Sequence, residues 1–148
     1  MSTYDKPTVS AAGAALAIEA ALAKADELGA RVTVAVVDDA GVLRALVRQD
    51  GAGGATVQVA TDKAYGTAAV GLPTAHWEEA VAGEPALGFG LTAIDRLVPL
   101  AGGVPIIAKG TIAGAVGVSG GSGEQDEAIA QAGAAACAPV PRRRAPAE

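Results

Sequence analysis

The stretch GGVPIIAKGTIAGAVGVSGGSGEQDEAIAQAG, Gly102 to Gly133, decides the fold. Val104 to Ala108 is a short apolar run. Lys109-Gly110 suits a two-residue turn, because glycine takes positive φ without a Cβ penalty. Thr111 to Val118 is a second run of β-branched and small residues. Gly120, Gly121 and Gly123 then crowd backbone N–H groups into a corner, and Glu124, Asp126 and Glu127 follow where the first turn of a helix favours acids. The stretch therefore reads as strand, tight turn, strand, glycine corner, helix. Such a corner has two uses: it lets a strand and a helix pack closely, or it lines a ligand.

Familiar motifs in this corner fail on their own rules. Gly117-Val118-Ser119-Gly120-Gly121 matches the G-x-S-x-G elbow, but the elbow needs a histidine after the serine in chain order. The single histidine, His76, precedes Ser119. No GxGxxG lies in the corner and no GxxxxGK[ST] lies anywhere, so neither standard nucleotide site is supported.

Working outward, Thr8 or Ser10 can cap a helix that runs to about Leu28 and stops at Gly29. Arg31 to Asp38, RVTVAVVD, is a continuous β-branched run, which predicts a strand buried on both faces. Asp39-Ala40-Gly41 turns the chain into a partner strand, Val42 to Arg48. RQDGAGGA, Arg48 to Ala55, is a loop at a strand end, where ligand-facing groups often lie. A helix follows from about Thr56 to Val70, ended by Gly71. Pro73-Thr74 opens a short helix, HWEEAV. Gly83 to Leu100 is irregular and is expected to hold a short strand or turn. Consecutive strands joined by tight turns, with helices between, predict an α+β fold on an antiparallel sheet.

A length of 148 residues suits one domain, expected over 8–137, with a charged, Pro-broken tail at 138–148 that composition marks as disordered. One cysteine, Cys137, excludes an internal disulfide, and MSTYDKPTVS lacks the basic head and apolar core of a signal peptide. Both point to the cytoplasm. The first helix carries Glu19, Lys24 and Asp26, so it is no membrane span. A net charge of −5 argues against nucleic acid, which wants a basic face. Hydrophobic residues make up 51% but aromatics only 3%, so the core has to be built of Ala, Val, Leu and Ile. That apolar share also predicts a homo-oligomer, with part of the surface covered by another copy.

Five segments together resemble the GlcG/HbpS-like, or haem-degrading-domain, family. They are VVDDAGVLRALVRQDGA (Val36 to Ala52), KAYGTA (Lys63 to Ala68), Pro73-Thr74, GGVPI (Gly102 to Ile106) and GAVGVSGGSGEQDEAIAQAG (Gly114 to Gly133). The resemblance covers about Thr8 to Ala136. It implies a profilin-like or PAS-like fold, a five-stranded antiparallel sheet flanked by helices, and assembly as dimers up to octamers. Some members bind haem and serve haem handling or redox sensing. One relative is the C-terminal domain of a corrinoid adenosyltransferase, and many others accompany enzymes of small-organic-acid catabolism.

Several residues are candidates for chemistry. His76 is the sole imidazole and a haem axial donor or a proton carrier, but one histidine cannot build a zinc site. Arg48 and Asp50 leave a strand end, and Lys63 and Thr67 share one face of the next helix. If the loop folds back, Arg48 and Lys63 converge near the amides of Ser119, Gly120 and Gly121, with Gln125 alongside, and two cations there would hold a carboxylate. Asp126 is the candidate general base. The competing reading is a solvated Arg48–Asp50 pair and an acid that only serves a helix N-terminus. Three functions follow: a protein that binds haem or a small carboxylate-bearing ligand, a cofactor-independent enzyme acting on a small organic acid, or an oligomeric partner of such an enzyme.

Overall fold

The first helix begins where Ser10 Oγ accepts the backbone N–H of Gly13 at 3.0 Å, so of the two expected caps Ser10 is the one used. In the computed structural model, which describes residues 2–137, the order is α1 (Ala11–Leu28), β1 (Thr33–Asp38), β2 (Leu43–Arg48), α2 (Ala55–Val70), α3 (Thr74–Gly83), α4 (Pro85–Thr92), β3 (Gly103–Ala108), β4 (Thr111–Ser119) and α5 (Gly123–Ala136). The expected disordered tail, 138–148, lies outside the described residues. α1 and α2 both stop at a glycine with positive φ, Gly29 at 67° and Gly71 at 89°. At the β3–β4 turn Lys109 (φ 50°) and Gly110 (φ 73°) both adopt the left-handed conformation that matches strand twist in two-residue hairpins.

The strands form one antiparallel sheet in the order β2-β1-β4-β3. β1 is central and buried on both faces, as its unbroken β-branched run predicts. Val32, Val34 and Val36 join the core under α1 and α5, while Ala35 and Val37 meet Ala60 and Ala64 of α2 on the opposite side. The result is three layers, α1/α5, sheet and α2. Close approach replaces aromatic bulk. A Cβ on Gly117 would overlap the carbonyl oxygen of Ala60 and lie 2.6 Å from the nitrogen of Ala64, so α2 rests directly on the backbone of β4.

The sheet has four strands among the described residues, a correction to the five implied by the resemblance. The segment expected to hold a short strand or turn forms α4 and then a turn, with no strand. Pro85 begins α4 because its fixed φ and missing N–H suit the first helical turn and no strand ladder. Among the described residues no helix is long and apolar enough to cross a membrane. The N-terminal segment is tied to the β1–β2 turn by an ion pair between Lys6 and Asp39. The hydrogen bond from Lys6 holds the Asp39 carboxyl below its ordinary range.

Candidate functional site

Two groups of candidate residues lie at the same end of the sheet, but at different depths. Thr33, which begins β1, is in register with Arg48 of β2 and with Ser119 of β4, so the three share one face. Thr33 Oγ1 and Thr56 Oγ1 are 2.8 Å apart, which fastens this face to the start of α2. Arg48 is exposed and donates from Nη1 to the carbonyl of Ala52 at 3.2 Å. With Asp26, Arg31, Val47, Gln49 and the exposed Asp50 it lines an open depression of about 430 Å³. Arg31 and Gln49 both donate to Asp26 Oδ1, at 3.0 and 3.2 Å, and stiffen the wall of that depression.

Lys63 belongs to the deeper group. It is 3% exposed, and its Nζ donates to the carbonyl of Val118 at 2.8 Å and to Asp126 Oδ2 at 3.1 Å. Asp126 Oδ1 accepts the N–H of Gly121 at 2.8 Å. The carboxylate that Lys63 holds is thus one from its own chain, and both oxygens of Asp126 are engaged. Arg48 and Lys63 are not brought together. One is exposed at the end of β2, and the other is buried against β4, two strand spacings or roughly 10 Å across the sheet.

The glycine corner closes on itself in the same way. Ser122 Oγ accepts from the Gln125 nitrogen and Gln125 Oε1 accepts from the Ser122 nitrogen, a capping box that starts α5. Gly120 has φ of 132°, and a Cβ there would overlap the carbonyl oxygen of Arg31. Close packing, one of the two readings of the corner, accounts for these contacts. Ser119 is 9% exposed. Thr67 is fully buried, and its Oγ1 has no hydrogen-bond partner among the described residues.

His76 lies elsewhere, on the two-helix arm formed by α3 and α4. It is exposed and meets Trp77 edge-on, with ring centroids 6.2 Å apart at 83°. The arm and its flanks expose Leu72, Phe89, Ile94 and Leu100, with Phe89 82% exposed. A narrow cleft of about 10 Å³ lies under the arm, lined by Gly66, Thr74, Trp77, Leu91, Leu97, Val98 and Pro99. Among the described residues no group of three His, Cys, Asp or Glu side chains is placed to hold a metal ion.

Sequence reasoning missed the groups that join the arm to β3. Thr74 Oγ1 accepts the Gly103 N–H at 2.7 Å and Glu78 takes that of Ala101 at 3.0 Å, while Glu127 of α5, outside the arm, takes that of Gly102 at 3.2 Å. Pro73-Thr74 marks the helix start in the sequence, but nothing local tells which amide its hydroxyl will meet 29 positions away.

Three comparisons place the chain among known proteins. The family model described as haem degrading protein HbpS-like matches residues 9–135. A 15.0 kDa protein of Citrobacter freundii from a dhaT–dhaS intergenic region is 36% identical over 125 residues, which cover 84% of this chain and 88% of the relative. A crystal structure of a Streptomyces reticuli HbpS double mutant aligns with a TM-score of 0.81 at 35% identity, covering 90% of this chain and 89% of that one. A PduOC–haem complex aligns with a TM-score of 0.79 at 29% identity, covering 87% and 94%.

Proposed function

The chain belongs to the HbpS-like family, and from that premise we propose that it binds a haem-type ligand on the outside of its fold, with His76 as the axial donor. The observation that carries the reading is the placement of His76. The sole imidazole of the chain is exposed on α3, where Glu78 and Glu79 are also exposed, and the arm and its flanks expose Leu72, Phe89, Ile94 and Leu100. Neutral imidazole is a good ligand for haem iron, and the porphyrin face matches apolar surface. The haem complex of PduOC supports the ligand class.

The residues fit a surface haem and not an enclosed one. Pockets that bury a sizeable ligand run to roughly 300–1,000 Å³. The cleft under the arm, at about 10 Å³, is far too small. The depression at Arg48 has the volume, but its lining carries no His, Cys, Met or Tyr to meet iron. A haem held by His76 would rest on the outside of the arm, with His76 as its ligand and the arm's apolar side chains as its contact. The exposed Phe89, Ile94 and Leu100 support the homo-oligomeric reading. Bound haem would supply iron able to take up a diatomic gas or an electron. The chain supplies the imidazole and apolar contact.

A titration tests this: haem added to purified protein and to His76→Ala, followed by absorbance. Saturable binding lost in the variant is the expected result, and equal binding in both removes His76 from the site.

A second reading rests on the depression at Arg48. There a small organic carboxylate would meet an exposed guanidinium beside Arg31, Gln49 and Asp50. The engagement of both Asp126 oxygens favours binding over proton transfer by that residue. Thermal-shift screening of acetate and succinate against the protein and Arg48→Ala tests it. An acid that raises Tm in the first and not in the second supports the carboxylate site; no shift in either sinks it.

A further inference from the structure

The cleft beneath the arm carries an inference of its own, independent of His76 and of haem. At about 10 Å³ it holds roughly one water. Its lining is apolar except for the hydroxyl of Thr74, which is 2% exposed, and the indole N–H of the half-buried Trp77. Thr74 Oγ1 already accepts from the Gly103 N–H, and a hydroxyl that accepts once still has its proton to donate. The cleft thus has greasy walls and one buried donor.

The cover over it is thin. In α3 and α4 only Thr74 and Leu91 are buried. Thr74 and Glu78 pin the first helix of the arm to Gly103 and Ala101, and beyond α4 the arm is clasped by Arg96. Its Nε donates to Asp62 Oδ1 at 3.0 Å, and its guanidinium lies 3.9 Å over the Tyr65 ring. Arg96 holds φ at 65°, a conformation that a non-glycine residue keeps only when its contacts outweigh the steric cost. Lightly packed, surface-clasped segments open more readily than the core beneath them.

We propose that the α3–α4 arm is a hinged cover latched by Arg96, and that the cleft beneath opens to take a compact, mainly apolar, neutral molecule bearing one hydrogen-bond acceptor. The acceptor receives the Thr74 hydroxyl proton. Trp77, Leu91, Leu97 and Val98 enclose the apolar body, and Gly66 gives it room against α2.

Trp77 is the only tryptophan of the chain and lines the cleft, so its fluorescence reports occupancy. The probes are tetrahydropyran, which carries an ether oxygen, and cyclohexane, which has the same shape without it. The expected result is a saturable change in Trp77 emission with tetrahydropyran and about fivefold weaker binding of cyclohexane, the worth of one net hydrogen bond. Thr74→Val removes the advantage of tetrahydropyran and leaves it at or below the level of cyclohexane, because its ether oxygen is then buried unpaired, and Thr74→Ser restores the difference. Val98→Phe fills the cleft and abolishes both responses, which keeps the test decisive if Thr74→Val fails to fold. Arg96→Ala tightens binding and speeds amide exchange over residues 74–92. No saturable Trp77 response in the parent protein, equal affinity for the two probes, or a response that survives Val98→Phe overturns the proposal.

Discussion

Lys63 Nζ lies 3.1 Å from Asp126 Oδ2, and the two residues, 63 positions apart in sequence, are 3% and 5% exposed. Between them they fix both ends of the turn that leaves the sheet. Lys63 takes the carbonyl of Val118 and Asp126 takes the N–H of Gly121. Removing one member leaves an uncompensated buried charge, which costs far more than an exposed pair is worth. We expect Lys63→Met to destabilise the protein by about 3–5 kcal/mol. The double change Lys63→Met with Asp126→Leu should recover much of that loss. Urea unfolding of the three proteins checks this; additive losses would contradict it.

A methyl group distinguishes the glycines that pack from those that do not. Gly117→Ala forces α2 away from β4 and is expected to cost about 1–3 kcal/mol, the usual range for overpacking. Gly53→Ala meets nothing within 4 Å among the described residues and is expected to be close to neutral. Thermal unfolding of the two variants, side by side, should show a lowered Tm for the first alone.

The turn and cap chemistry was legible because it is local. Ser10, Gly29, Gly71, Lys109-Gly110 and the β-branched run of β1 each declare their element within a few residues. The antiparallel α+β architecture follows from them. What the sequence hides is who meets whom. Lys63 on α2 reads as a cation beside a loop, and only the packing of α2 against β4 and α5 turns it into an internal partner of Asp126. The fourth helix was equally hard to see. Gly88 and Gly90 dilute its apolar periodicity, and Pro85 is its one clear signal.

Cys137 makes a pH prediction. Burial pushes its thiol above the ordinary range, and Sγ donates to the carbonyl of Gly13 at 3.0 Å. The folded state therefore keeps this proton to higher pH than the unfolded chain, whose thiol ionises near pH ~8.5. The thiol's contribution to stability is complete below that pH and declines as pH rises through the folded value. Alkylation of the folded protein should keep accelerating with pH after the urea-unfolded chain has levelled off. Coincident profiles would refute the assignment.

Oligomeric state follows from the exposed apolar arm. Light scattering is expected to give a multiple of the 14.3 kDa chain, and Phe89→Ser to shift it toward a smaller species. A monomer at micromolar concentration in the parent protein would contradict this.

The most direct test of the account is the visible spectrum of ferric haem titrated into the protein and into His76→Ala. The account predicts saturation at one haem per chain with a histidine-type Soret band, and loss of that band with the imidazole. An identical spectrum in the variant, or no saturation in the parent protein, would contradict it.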